Sequence, residues 1–492
     1  MASGTKVDLD GLQRDIDALL GRLDDAERQW ASWIERTVPE HRRSAVNLAH
    51  YWSIRQSDLR DLQGRLAELG LSSLGRSEAH VQATLKLVSA ALKSIAGASY
   101  VPPDDVVVGV GEGAELLMHN AAELLGPSPA ERGVRIMVTL PSEAADDPQL
   151  IADLVDNGMN VARINCAHDD AAAWREMAAH VRKAGESCVI AMDLAGPKLR
   201  TGPLEPEDGA LRLQRGDVLR VARDCSPAPV ETDDPWIGCT LPEVFERAEK
   251  GQRVLFDDGK LAGTIVEAEP DVLEVRIDHP ALNSAKLKAG KGINVPDTEL
   301  PISALTGKDI EDLGTVAEVA DVVEFSFVRT ADDIDKLFAE LDRIGADHLG
   351  VVLKIETRPA FENLPQLVMA AMARRKVGVM IARGDLAVEV GYERMAELQE
   401  EMLWLCEAAH LPVIWATQVL EQLAKKGQPA RSEVSDASMG VRAECVMLNK
   451  GPYIVDAVQT LAGILDRMEE HLYKKNTLLR TLRSWRPNHE LK

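Results

Sequence analysis

Residues 351–356 read VVLKIE and residues 379–390 read VMIARGDLAVEV. Each is an apolar, β-branched run of the kind that fills a strand buried on both faces. Each also ends in charge: Lys354 and Glu356 in the first, Arg383 and Asp385 in the second. Stability alone gives a buried strand no reason to end that way. A (β/α)8 barrel does give one, because it assembles its active site at the C-terminal ends of its parallel strands.

Six further runs of the same kind flank these two: VRIMVTL, MNVARIN, CVIAMD, DVVEFS, LPVIWA and ECVML. Most are followed by an amphipathic stretch, such as PQLIADLVDNG, ADDIDKLFAELDRIG, YERMAELQEEMLWLCEAA or IVDAVQTLAGILDRM. Eight buried strands alternating with helices predict an α/β chain with a (β/α)8 TIM barrel, an open doubly wound sheet being the competing arrangement. The alternation breaks once. Between CVIAMDLAGPKLRTG and SALTGKDIEDLGTVAEV the pattern turns β-like, with ALRLQRGDVLRV, a DDGK turn and VLEVRI, which predicts a small β-rich lid domain inserted after the third strand. The expected division is an N-terminal helical region of unassigned role (1–130), a barrel catalytic domain (131–202 and 297–475), the lid (203–296) and a C-terminal tail (476–492).

In the N-terminal region Leu9, Leu12, Ile16, Leu19, Leu23, Ala26, Trp30 and Trp33 recur in steps of three and four. They form one apolar stripe along a helix, read as packing on its own domain in preference to a coiled coil. SDLRDLQGRLAELG reads as a helix closed by Gly70, and SEAHVQATLKLVSAALKSI as one opened by a cap at Ser77. His50 and His80 read as core or surface histidines, with no metal-ligating company nearby.

The 79 acidic residues outnumber the 56 basic ones, for a formal net charge of −23. That balance speaks against a nucleic-acid binder or a basic membrane-surface protein and requires any phosphorylated ligand to be held by a locally basic pocket. No membrane span is expected, since no apolar run reaches about 18 residues. The six cysteines, at 166, 188, 225, 239, 406 and 445, include no C-x-x-C pair and read as free thiols of a reducing compartment. With no secretory signal in MASGTKVDLD, the expected location is cytoplasmic.

Nearly every strand end carries a polar group: Thr139, Arg163 with Asn165, Asp193, Ser326, Lys354 with Glu356, Asp385, Thr417 with Gln418, and Asn449. Lys354 and Glu356 lie two apart and share one side of their strand. Glu356 and Asp385 suit a hard divalent cation such as Mg²⁺, and the absence of His and Cys from the cluster disfavours zinc. Backbone amides from Ala382 to Asp385, together with Thr417, suit a carboxylate or phosphate, while Lys354 and Arg163 supply positive charge to a transferring anion. Taken singly, each residue is as readily an ion pair or a strand cap; the conjunction at eight strand ends points to function.

These residues also carry a resemblance. GMNVARINCAH, MDLAGPKLRTG, FDDG, KGINVP, SFVR, KIE, MIARGDLAVEV and PVIWATQVLE are similar, in order and spacing, to motifs of the pyruvate kinase family. The resemblance implies that Glu356 and Asp385 bind the Mg²⁺ (or Mn²⁺) that bridges phosphoenolpyruvate and enzyme. It implies that Lys354 and Arg163 stabilise the phosphoryl group and the enolate, and that Thr417 holds the substrate carboxylate and helps deliver a proton. Ala382, Arg383, Gly384, Asp385 and Ser326 join Thr417 as substrate-binding positions, while Asn165, His168, Arg200 and Lys291 lie along the nucleotide phosphates of ADP with Asp258 helping to position them.

The departures from the family pattern are specific. Ala167 and Leu194 stand where a potassium-binding member has Ser and Thr, and Lys198 stands where such a member has Glu. A lysine there supplies the missing cation in the potassium-independent branch, so activity without potassium is expected. The TLPSEA loop lacks a glycine, the loop after the last strand is cut to NKGP with Lys450, and residues 1–130 have no counterpart in the common form. No counterpart of the C-terminal regulatory domain is expected, and with it no sugar-phosphate control and fewer tetramer contacts, although a homo-oligomer is still expected. Two other readings stay open: a catalytically weakened phosphoenolpyruvate- or nucleotide-binding regulatory protein, and a metal-dependent pyruvate lyase or aldolase.

Overall fold

The computed structural model describes residues 8–72, 74–280 and 283–477. Eight parallel strands close a barrel: β1 (Arg135–Thr139), β2 (Val161–Asn165), β3 (Val189–Asp193), β4 (Val322–Phe325), β5 (Gly350–Ile355), β6 (Val377–Ala382), β7 (Val413–Ala416) and β8 (Cys445–Leu448). Neighbours in sequence are neighbours in the barrel, and β1 returns to β8 with Arg135 opposite Cys445. The open sheet is thereby excluded.

Side chains alternate along each strand, and the two faces have separate partners. Ile136, Ile164, Ile190, Val323, Leu353, Val379 and Trp415 point outward into the core shared with the surrounding helices. Met137, Val161, Ala191, Val322, Val352, Met380, Ile414 and Cys445 point inward and fill the barrel. Two residues further along, the inward positions are Thr139, Arg163, Asp193, Glu324 and Lys354, so the apolar filling gives way to charge one layer higher. Helices on the outside begin at well-formed caps; Thr306 and Thr330, for example, each form a reciprocal capping box with the aspartate three residues on.

The lid has its own core. Strands at residues 218–222, 236–238, 253–256, 261–268, 272–279 and 293–294 form one six-stranded sheet around Leu219, Phe256, Ile265 and Val275. It meets the barrel on the side where the strands end. Asn294 Nδ2 donates to Glu389 Oε1 (2.9 Å), and Tyr392 Oη donates to the carbonyl of Asp258 (3.3 Å).

The N-terminal region comprises α1 (Leu9–Gln29), α2 (Ala31–Arg36), α3 (Arg42–Ile54), α4 (Arg60–Glu68), α5 (Val81–Ile95) and α6 (Glu112–Leu125). The apolar stripe of α1 packs within this region, but the helix breaks at Trp30, so Trp33 belongs to α2. Gly70 follows α4 at φ +69, the left-handed geometry of a helix stop. Ser77 does not cap α5. Its hydroxyl donates back to the Leu74 carbonyl, and the cap comes from another helix, where Asn47 Oδ1 on α3 accepts from the Val81 amide (2.9 Å). His50 is fully buried against Glu27, and His80 bonds Thr84.

The region does more than sit beside the barrel. Leu124 and Leu125 at the end of α6 belong to the same apolar cluster as the barrel interior. Gly350 and Gly378 make room for them at the starts of β5 and β6. A Cβ at either position would lie 2.5 Å and 2.6 Å from the Leu124 side chain. The end of α6 thus plugs the end of the barrel opposite the charged layer. At the other terminus Asn476–Thr477, where the expected tail starts, pairs with Leu472–Tyr473 at the end of the expected barrel domain; residues 478–492 lie outside the described residues. Among the described residues no helix is long and apolar enough to cross a membrane, and all six cysteines are free.

Candidate active site

Inward residues of five adjacent strands, β1 to β5, converge. Arg163 on β2 donates from Nε to Glu324 Oε2 (2.9 Å), from Nη1 to Thr139 Oγ1 (2.8 Å) and from Nη2 to Asp193. Lys354 on β5 reaches Asp193 Oδ1 (2.9 Å), Ser326 Oγ (2.6 Å) and Glu356 Oε1 (3.0 Å). Ser326 Oγ also donates to Asp193 Oδ1 (2.9 Å), and the Phe327 amide donates to Glu356 Oε2 (2.8 Å). All of these charged side chains are buried. Burial of so many charges persists only where they are paired, and such density in a cleft is characteristic of functional sites.

The electrostatics follow from that crowding. Burial pulls the Asp193 carboxyl upward, but the Arg163 and Lys354 charges overcome it and hold Asp193 below the ordinary carboxylate range. Lys354 is held above its ordinary value because Asp193 and Glu356 outweigh its desolvation, and Arg163 is likewise raised. Glu356 is pushed up by burial and by the neighbouring charge of Asp385.

Asp385 lies in the helix Arg383–Val390 that follows β6, where its Oδ1 accepts from Lys198 Nζ at 2.7 Å. The Gly384 amide donates to Thr417 Oγ1 (2.7 Å), which joins the loops after β6 and β7. Thr417 is held at φ +65 and Phe327 at φ +55, a conformation costly for side chains of their size and frequent at functional sites. Glu356, raised in part by the charge of Asp385, and Asp385 itself form a carboxylate pair with no nitrogen or sulfur donor among them, which fits a hard divalent cation.

The remaining expected residues divide. His168 lies in the loop after β2, its imidazole kept low by partial burial and by the charges of Lys450, Arg200 and Arg163, so these groups form one basic patch. Asn165 Oδ1 accepts from the Ala167 amide (2.9 Å), and Arg200 Nη1 donates to the Gly290 carbonyl (3.1 Å). Lys291 is paired inside the lid, to Asp257 Oδ1 at 3.1 Å. Asp257, which also holds Lys260 (2.9 Å), is therefore the ion-pairing carboxylate of that turn, whereas Asp258 offers its carbonyl to Tyr392. Arg383 also departs from expectation. Its guanidinium lies over the Trp415 ring, bonds the Ala416 and Thr417 carbonyls and pairs with Asp436, so the Arg383 side chain is turned away from the cluster that Asp385 faces. Glu324 escaped sequence reading. The signal was present, since DVVEFS places a glutamate two residues before Ser326 on the same strand face.

A closed (β/α)8 barrel with a charged interior layer at its C-terminal mouth, a lid inserted after β3 and a carboxylate pair fit for a divalent cation has the layout of a barrel enzyme. Comparison with known sequences narrows the class. The profile of the pyruvate kinase barrel domain matches residues 131–458. A protein named pyruvate kinase from Agrobacterium vitis is 33% identical over 360 residues, covering 70% of each chain. Pyruvate kinase 1 of Trypanosoma brucei brucei is 32% identical over 361 residues, covering 71% of this chain and 70% of its own. Pyruvate kinase of Geobacillus stearothermophilus is 30% identical over 359 residues; this chain spans 59% of that relative's length. The chain belongs to the pyruvate kinase family.

Proposed function

We propose that the chain transfers the phosphoryl group of phosphoenolpyruvate to ADP, giving pyruvate and ATP, with Mg²⁺ or Mn²⁺. The observation that carries this reading is the pairing of Lys354 with Asp193 and Glu356, 2.9 Å and 3.0 Å away, beside Asp385 at the barrel mouth. In the reaction the bond between the enol oxygen and phosphorus breaks and a bond to a β-phosphate oxygen of ADP forms, leaving an enolate that takes up a proton. Such a transfer needs positioning and charge neutralisation more than covalent help.

Arg163 and Lys354 are suited to the phosphoryl oxygens, since each is already fixed in place by Asp193. Thr417, which accepts from the Gly384 amide, suits the role of orienting the substrate carboxylate and helping deliver a proton to the enolate. His168, Arg200 and Lys450 offer the basic patch that an acidic chain needs for nucleotide phosphates, with Lys291 approaching from the lid. Glu356 and Asp385 would hold the divalent cation, which when bound supplies charge neutralisation to substrate oxygens. Lys198, at 2.7 Å from Asp385, brings a fixed positive charge to the place where a monovalent ion would act, so potassium is not required. A cytoplasmic setting, supported by the free thiols, and homo-oligomeric assembly complete the proposal.

The test is a coupled assay of pyruvate formation from phosphoenolpyruvate, ADP and Mg²⁺, in sodium-only buffer and again with potassium. Turnover in both buffers is expected. Turnover only with potassium removes the role given to Lys198, and none in either favours the binding-protein or lyase alternatives.

A further inference from the structure

The buried layer holds one more carboxylate than it has cations. Arg163 and Lys354 face Asp193, Glu356 and Glu324. Asp193 is contacted by both cations and by Ser326, and Glu356 by Lys354 and the Phe327 amide. Glu324 has the poorest supply: Oε2 accepts from Arg163 Nε, while Oε1, fully buried, finds no partner among the described residues. A buried oxygen without a donor is costly as half of a carboxylate and much less so as part of a neutral acid.

The neighbours reinforce this. Glu324 stands directly opposite Asp193 in the β3–β4 register. The groups facing it are Arg163 from β2, Asp193 from β3, Lys354 from β5 and the Cys445 thiol from β8, itself neutral because burial raises it. Burial together with Asp193 outweighs the two cations and pushes the Glu324 carboxyl up to about 7. Arg163 has five N–H groups, of which Glu324, Thr139 and Asp193 occupy one each, so two remain for an incoming anion.

We propose that Glu324 is a positioning residue that fixes Arg163 through Nε and carries a proton whenever Arg163 holds an anionic ligand. Ionised, Glu324 competes with that ligand for the guanidinium charge. Protonated, it leaves Arg163 in the same place with its charge undivided. Binding of a phosphorylated anion is therefore coupled to proton uptake at Glu324. The inference rests on the phosphoryl-transfer reading for the identity of that anion.

The experiment is calorimetric titration of the full chain with phosphoenolpyruvate and Mg²⁺ in buffers of different ionisation enthalpy, comparing wild type with Glu324→Gln. A glutamine keeps an acceptor for Arg163 Nε but cannot take the proton. Wild type is expected to take up more protons than the variant at about pH 7.5, and its affinity to fall by up to about tenfold per pH unit above 7 where the variant's stays flatter. Glu324→Leu, which removes the acceptor, is expected to weaken binding in a way that Glu324→Gln does not. Equal proton counts and parallel pH profiles overturn the proposal. Infrared spectra give a second measurement that needs no folded variant: the band of a protonated carboxyl should grow in wild type when ligand is added at about pH 7.5, and an unchanged band overturns the proposal. If phosphoenolpyruvate does not bind wild type at all, the substrate reading fails. The proposal is then decided without ligand, because a protonated-carboxyl band near neutral pH that Glu324→Gln lacks supports it and identical bands overturn it.

Discussion

Lys198 Nζ stands 2.7 Å from Asp385 Oδ1, so the stem of the lid supplies an ammonium to one of the two carboxylates fit for a divalent cation. Both side chains are only about a fifth exposed, at 24% and 20%, and the ammonium also lies 5.8 Å from the centre of the Phe327 ring. This fixed cation is confined to the site, unlike a salt ion. Exchanging Lys198 for Glu should therefore lower activity in sodium-only buffer by at least about tenfold, the equivalent of about 1.4 kcal/mol. Added potassium should recover part of the loss. Equal activity of variant and wild type without potassium, in the same coupled assay, would count against this role.

Lys354 neutralises more than one partner, and its removal leaves Arg163 alone against Asp193, Glu324 and Glu356. Lys354→Met is expected to reduce kcat for pyruvate formation by at least about 100-fold, the scale seen when one preorganised charge is lost from a transition-state site. The unpaired carboxylates should also lower stability, by about 3 kcal/mol or more if they stay ionised. Lys354→Arg should not restore turnover, because a planar fork cannot take the place of a compact ammonium between Asp193 and Glu356. Steady-state kinetics and circular dichroism separate the catalytic loss from unfolding.

The barrel was legible because few folds besides a (β/α)8 barrel place charge at the ends of eight buried strands, and Lys354, Glu356 and Asp385 were found by reading those ends. Glu324 lies one step below the end of its strand, in the middle of DVVEFS, where it passed for part of an apolar run. Arg383 failed for the opposite reason. It sits in the most conspicuous motif, yet its direction is set by Trp415 and Asp436, which are distant in sequence. The Ser77 cap failed similarly, since local propensity yields when a buried Asn47 from another helix reaches the same amide. Nothing local distinguishes Leu124 from any other helical leucine; its role as a plug depends on two glycines more than two hundred positions away in the sequence.

That plug makes the N-terminal region part of the barrel's stability. Leu124 is buried between the starts of β5 and β6. Leu124→Ala should cost about 2–5 kcal/mol, as for other buried leucines. Gly350→Ala should also destabilise, since its new Cβ would meet Leu124 Cδ1 at 2.5 Å. Combined, the two should cost less than their sum, because the smaller side chain makes room for the added methyl. Urea midpoints of the two single variants and the double variant measure the coupling, and strict additivity would mean that the two residues do not meet.

His410 fastens the same region to the barrel and makes the attachment sensitive to acid. Its Nε2 is 2.8 Å from the Ala79 carbonyl and its Nδ1 is 2.8 Å from Ser44 Oγ. A carbonyl accepts only, so Nε2 carries the hydrogen and Nδ1 accepts from the serine, which a neutral ring satisfies completely. Burial, with His80, Arg43 and His41 nearby, lowers the His410 imidazole to about 4, and His41 and His80 are also lowered, chiefly by burial. Because the folded value lies below the ordinary 6.5, the unfolded chain binds more protons between these limits. Stability is therefore full above 6.5 and falls as the pH drops towards 4, by up to about 1.4 kcal/mol per pH unit from this residue. His410→Asn, which tolerates the left-handed backbone at φ +51, should reduce that dependence. Unfolding midpoints at about pH 7 and pH 5 should lie closer together in the variant than in wild type, and an unchanged gap would place the acid sensitivity elsewhere.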